Sequence, residues 1–132
     1  MSLNTALNRL MLIALCIVAF YYGFRAKDYG PPPDDAWFRS TVINQPGPVL
    51  VKFGATWCGP CRAVDGELTR LSGAGPWQVV KIDVDSHRDL ARHYGVTAIP
   101  RMLLFKNGKV VADRTGYASA DYLRSWIAAH SQ

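Results

Sequence analysis

Two cysteines stand three positions apart in the run Trp57-Cys58-Gly59-Pro60-Cys61, within a chain of 132 residues that holds only 3 cysteines. That number is too small for a disulfide scaffold, so the close pair asks for a chemical explanation. The run joins an apolar stretch, residues 49–53, to residues with helical spacing, which places Cys58 at a helix N-terminus. Free backbone N–H groups and the positive end of the helix dipole there stabilise a thiolate, the nucleophilic form. Pro60 suits the first turn, where its missing N–H costs nothing and its fixed φ is already helical. Two intervening residues bring the sulfurs into bonding range on one helical turn, so Cys61 can attack a mixed disulfide held on Cys58 and release the product. The chemistry implied is a two-electron thiol–disulfide switch.

Other readings of the pair are weaker. A structural zinc site could recruit His87 and His93, but 25 residues separate Cys61 from His87, and Gly-Pro between the thiols fits a helix start. Haem attachment needs a histidine after the second cysteine, where Arg62 stands. His87, His93 and His130 read as exposed helix residues, and no metal is expected. Trp37, Trp77 and Trp126 read as core, leaving Trp57 for function.

The elements that must position the cysteines follow from periodicity. Asp34 or Asp35 caps a short helix to about Ile43, Pro46-Gly47-Pro48 makes a turn, and residues 49–53 form a strand buried on both faces. The helix after Cys58 turns Cys61, Val64, Leu68 and Leu71 inward and stops before Gly73. A strand over 77–84 follows, then a helix capped by Asp85 or Ser86, carrying Leu90, Ala91 and Tyr94 and closed by Gly95. Strands over 101–105 and 109–114 flank Asn107-Gly108, a strong hairpin signal. The last helix starts at Ser119 and carries Tyr122, Leu123, Trp126 and Ile127 on one face. The order α-β-α-β-α-β-β-α predicts an α/β fold with a central mixed sheet of about four strands and helices on both faces.

Ahead of this unit the composition changes. Every residue from 10 to 24 except Gly23 is hydrophobic, and Arg9 and Arg25 bracket the run. Fifteen helical residues rise about 22 Å, so a cleaved signal or a short anchor fits, and the residues near its end lack the small pair that cleavage requires. The reading is an uncleaved N-terminal membrane anchor or signal segment over residues 1–25, a Pro-rich spacer over 26–33, and one domain over 34–132. Cys16 then faces lipid, and the domain lies outside the cytoplasm, on the periplasmic side. Net charge is +5, but from Asp34 onward 12 basic and 9 acidic residues interleave without a run. That is a solvated surface, and a nucleic-acid partner is not expected.

At Trp57-Cys58-Gly59-Pro60-Cys61 the chain resembles the thioredoxins, and the resemblance runs from about Asp34 to the C-terminus. It includes Ile99-Pro100 at the position of the family's cis-proline, Phe105-Lys106-Asn107-Gly108 in its hairpin, and Gly116 in its substrate groove. The resemblance implies a three-layer α/β/α sandwich and protein-disulfide reductase activity, with Cys58 attacking and Cys61 resolving. It further implies that Pro100 shapes the site beside the sulfurs. A groove of Trp57, Gly59, Pro60, Ile99, Pro100, Gly116 and Tyr117 would bind extended substrate largely through backbone. The expected partners are protein disulfides and an upstream redox partner, the expected state is a monomer, and no cofactor beyond the Cys58–Cys61 pair is implied.

The chain also departs from the family. Thioredoxins carry a buried acid in the strand before the motif, where this chain has Lys52, and the family's strand lysine is matched by Lys81. If Lys52 points inward, its charge stabilises thiolates and shifts the pair toward oxidising potentials; if it lies along the sheet, it pairs with Asp83 or Asp85 at the surface. Arg101 follows the cis-proline where the family commonly has Thr, Gly66 replaces a helix-kinking proline, and Tyr29-Gly30-Pro31-Pro32-Pro33 stands where a first strand is expected. The second function class is a thioredoxin-fold interaction or assembly module whose cysteines are redox-inactive. Intact Cys58 and Cys61 speak for exchange chemistry instead.

Overall fold

Residues 49–54 are buried at every position, and that single fact decides the architecture. A strand covered on both faces must lie in the middle of a sheet with helices on either side. A computed structural model describes residues 3–23 and 27–132, with only the backbone for residues 3–4 and 20–23. Its elements are α1 (Leu3–Gly23), α2 (Ala36–Phe38) running into a π-helical turn (Arg39–Ile43), β1 (Val49–Gly54), α3 (Gly59–Leu71), β2 (Gln78–Asp83), α4 (Arg88–His93), β3 (Arg101–Lys106), β4 (Lys109–Thr115) and α5 (Ala120–His130).

The sheet order is β2-β1-β3-β4, with β1 parallel to β2 and antiparallel to β3, and β3 antiparallel to β4. Side chains of β1 alternate between two cores, as strand geometry requires. Val49, Val51 and Phe53 join Phe38, Leu90 and Tyr94 beneath α2 and α4. Leu50 joins Val64, Leu68 and Leu71 of α3 and Leu123 and Ile127 of α5 on the other face. This is the expected mixed four-stranded sheet with flanking helices. In the hairpin, Asn107 and Gly108 both have positive φ, 51° and 74°, the requirement of the two-residue turn expected there.

Cap chemistry explains several boundaries. Asp35 accepts from the Phe38 amide at 2.9 Å, so the first short helix begins where its acid stands. Ser119 caps α5 through the Tyr122 amide. The cap of α4 differs from expectation: His87 occupies the position and makes no side-chain cap bond. Asp83 instead uses Oδ1 to accept from the amides of Asp85 and Ser86, turning the chain before the helix starts. Four aromatic expectations also change. Trp37 is 44% exposed rather than core, and Tyr122 is 51% exposed beneath the Arg114 guanidinium, 4.5 Å from its ring centre. Trp77 and Trp126 are only partly buried against the α3/α5 core. Among the histidines, His130 is exposed, while His87 and His93 are half-buried.

The N-terminal expectation is corrected. Among the described residues no helix is long and apolar enough to cross a membrane, which overturns the expected anchor over residues 10–24 and the periplasmic placement that rested on it. The reason lies in the makeup of α1. Its first turns carry Thr5, Asn8 and Arg9, and the fifteen-residue apolar run that begins at Leu10 in the sequence amounts to only about 22 Å of helical rise against a hydrocarbon core of about 30 Å. Residues 24–26, part of the expected span and spacer, lie outside the described residues.

Residues 29–33 form no strand, and Tyr29 lies against the domain. Its ring meets Tyr94 with centroids 5.2 Å apart, and its hydroxyl lies 3.4 Å from Asp113 Oδ2. Arg101 completes this cluster from β3. It ion-pairs with Asp113 and donates from Nη1 to the Gly95 carbonyl at 2.8 Å. The bond to Asp113 holds the Arg101 guanidinium above its ordinary value. Burial pushes the Tyr94 hydroxyl up to about 12, with Tyr29 adding to the shift.

Candidate active site

The motif lies where β1 ends and α3 begins. Cys58 is the N-cap of α3, with extended backbone, and its Sγ accepts from the Cys61 amide at 3.2 Å. Its own amide donates to the Ala55 carbonyl at 3.2 Å, which ties the approach loop to the cap. Pro60 occupies the first turn of α3, as its chemistry predicts. The two sulfurs are joined as a disulfide, with Cα atoms 5.2 Å apart. Cys58 is 6% exposed and Cys61 1%, so the first sulfur sits at the mouth of the site and the second a turn deeper.

The surroundings mix apolar wall and open surface. Ala55 packs with the two cysteines, and Val84 and Ile99 close the cluster. The Ile99–Pro100 peptide is cis, and the Gly116 amide donates to the Pro100 carbonyl at 2.8 Å. Gly116 has φ +93°, a backbone conformation that disfavours any side chain. Trp57 is 68% exposed beside the motif, and its Nε1 donates to Asp85 Oδ2 at 2.9 Å. Tyr117 is exposed, and its carbonyl accepts from Arg114 Nη2. Gly59 and Pro60 are exposed on the same turn as Cys58.

Lys52 lies on the inner side of the motif. It shares the face of Leu50, is 5% exposed, and places Nζ 2.8 Å from Asp65 Oδ1. Lys81, opposite Lys52 on β2, lies 3.5 Å from the same oxygen. The expected alternatives Asp83 and Asp85 are engaged elsewhere, on turn amides and on Trp57. Asp65 was not among the sequence candidates, although its spacing could have found it. It stands four residues after Cys61, one helical turn on, at the edge of the buried stripe of α3. Arg101, the other departure, is committed to Asp113, Gly95 and Tyr29.

Comparison with known proteins bears on this geometry. A family model described as Thioredoxin matches residues 32–129. A thioredoxin of Haemophilus influenzae is 39% identical over 99 residues, covering 74% of this chain and 92% of the relative. Thioredoxin C-2 of Corynebacterium nephridii is 42% identical over 95 residues, covering 70% of this chain and 88% of its own. Among solved structures, a thioredoxin-2 described as a component of the malaria parasite protein secretion machinery superposes with a TM-score of 0.61 at 27% identity, covering 64% of this chain and 84% of that one. A mutant thioredoxin from Halobacterium salinarum gives 0.61 at 35% identity, covering 64% and 75%.

Proposed function

The chain belongs to the thioredoxin family and carries its type of thiol–disulfide oxidoreductase pair, and from that premise we propose that it reduces protein disulfides with Cys58 attacking and Cys61 resolving. The observation that carries the assignment is the position of Cys58 as the α3 N-cap, with Cys61 buried one turn deeper. In the reduced protein the Cys58 thiolate attacks one sulfur of a substrate disulfide. That bond breaks, the leaving sulfur takes the electron pair, and Cys58 is joined to the substrate. Cys61 then loses its proton and attacks Cys58 Sγ, forming the Cys58–Cys61 disulfide and expelling the second substrate thiolate. Two electrons pass from the dithiol to the substrate, and an upstream dithiol reductant restores the pair.

The other site residues take supporting roles. Exposed Trp57, Gly59 and Pro60 on one side, and Ile99, Pro100, Gly116 and Tyr117 on the other, form the substrate groove. Helix-start amides hold the Cys58 thiolate, and the cis Ile99–Pro100 turn sets the wall against which the attacked disulfide lies. The chain works as a monomer, with the cysteine pair as its redox group. Turbidity from insulin reduction, driven by dithiothreitol with the full chain as catalyst, tests the reading. Acceleration that disappears in Cys58→Ser is expected. No acceleration by the parent protein would leave the alternative, a redox-inactive interaction module.

A further inference from the structure

Two lysines from adjacent strands converge on one carboxylate beneath the disulfide. Lys52 Nζ and Lys81 Nζ lie 2.8 Å and 3.5 Å from Asp65 Oδ1. Gly54 shows where the deeper ammonium points. A Cβ at that position would be 2.7 Å from Lys52 Nζ and 3.2 Å from Cys61 Sγ. Ammonium and sulfur are therefore no more than about 6 Å apart, within range for a buried charge to act on a thiolate. The Cβ-free backbone of Gly54 is what leaves that approach open.

The other charged groups around this spot are accounted for. Asp83 accepts from two turn amides, and Arg62 donates from Nη1 to the Thr56 carbonyl at 3.1 Å. Lys81 is half-exposed, on the outer side of Asp65. A cleft of about 370 Å³ lined by Lys52, Gly54, Thr56, Arg62, Asp65 and Lys81 opens beside the group, wide enough to admit water.

We propose that Asp65 is a positioning residue that holds the Lys52 ammonium in place beneath Cys61, and that this cation stabilises the Cys61 thiolate in the resolving step. The inference rests on Cys61 being the resolving thiol. The Cys61 S–H proton is lost to solvent. The thiolate forms its bond to Cys58 Sγ, the bond from Cys58 to the substrate sulfur breaks, and that sulfur departs with the electron pair and is protonated by solvent. Asp65 acts only through the lysine. The ion pair fixes where the Lys52 ammonium sits, so removing either partner takes the charge from its place beneath the sulfur.

The test is stopped-flow release of the coloured thiolate from an aromatic disulfide reagent by the reduced full chain, followed from pH 5 to 9. Release comes in two phases, attack by Cys58 and resolution by Cys61. In Lys52→Met the second phase should slow about tenfold at pH 7 and its pH midpoint should rise by about one unit, with the first phase changed less. Asp65→Asn should move the second phase in the same direction. The double variant should be no slower than Lys52→Met alone, since residues acting as one unit are not additive. Lys52→Arg, which keeps the charge, should restore most of the rate and keeps the comparison available if Lys52→Met fails to fold. An unchanged midpoint in Lys52→Met overturns the proposal, as does an equal shift in Lys81→Met. Further slowing of the double variant also overturns it, because Asp65 would then act on Cys61 directly. Absence of the first phase in the parent protein would instead defeat the exchange reading itself.

Discussion

Tyr29 packs its ring on Tyr94 with centroids 5.2 Å apart, joining the chain ahead of the domain to the residue that closes α4. Tyr94 in turn lies 5.6 Å from Phe38, 5.4 Å from Phe105 and 6.2 Å from Phe53, so Tyr29 extends an aromatic core rather than resting on a polar surface. Removal of this ring should be felt throughout that core. Tyr29→Ala is expected to cost about 1 kcal/mol, the scale of an aromatic pair, and to lower the melting temperature by about 5 °C. Tyr29→Phe should lose much less, because the hydroxyl contacts at 3.4 Å and 3.5 Å are long. Thermal unfolding of the two variants checks the ranking.

Burial pushes Tyr94 up to about 12, above the ordinary tyrosine value. Folding therefore favours the protonated phenol. Its stabilisation is complete below about pH 10, where the unfolded chain also keeps the proton, and is lost as pH rises toward 12. The loss attributable to this one group is about 2–3 kcal/mol. Urea midpoints from pH 8 to 12 should show the fall, and Tyr94→Phe should flatten it while changing little at pH 7. An identical alkaline limb in that variant would contradict the burial.

Asp65→Asn should destabilise the protein by about 3 kcal/mol at pH 7, because a buried ammonium loses its counter-ion while a second cation remains beside it. The double substitution Lys52→Met with Asp65→Asn should regain most of that loss. Chemical denaturation measures both. A change in Asp65→Asn no larger than about 0.5 kcal/mol, the scale of an ordinary surface substitution, would show that the pair is not desolvated.

Cys61→Ser should accumulate substrates as mixed disulfides on Cys58, visible as bands that dithiothreitol removes on non-reducing gels. Cys58→Ser should accumulate none. Equal trapping by both would reverse or dissolve the assignment of attacking and resolving thiols.

The sheet and its helices were legible because their signals are local. The apolar run along 49–53, the stripe Cys61, Val64, Leu68 and Leu71, and the Asn107-Gly108 turn each need only neighbouring residues, and each element appears where those residues place it. The cysteine pair was legible for the same reason. What escaped depends on contacts between elements distant in sequence. The inward direction of Lys52 could be inferred from its parity with Leu50, but its counter-ion comes from a helix thirteen residues on, where Asp65 looks like one more charge on a solvated face. Tyr29 and the three prolines after it carry the composition of a free linker, and only the tertiary fold reveals the aromatic edge that receives the ring. At the N-terminus an unbroken apolar run signals a membrane segment by composition, but a run this short behind polar first turns does not make a helix able to cross a bilayer.

The facing of Lys52 and Lys81 across β1 and β2 has a consequence for assembly of the fold. Like charges opposite one another weaken a strand pair, and here one of them is largely buried. The sheet alone leaves that repulsion unrelieved; α3 relieves it only in one docking register. Sliding the helix by one turn would carry Asp65 about 5.4 Å away and leave the buried Lys52 ammonium without its partner. An apolar helix face could tolerate such slippage, since leucine and valine pack in several ways. The single carboxylate thus adds a polar preference for one seating of α3, the seating in which Cys61 lies above Lys52.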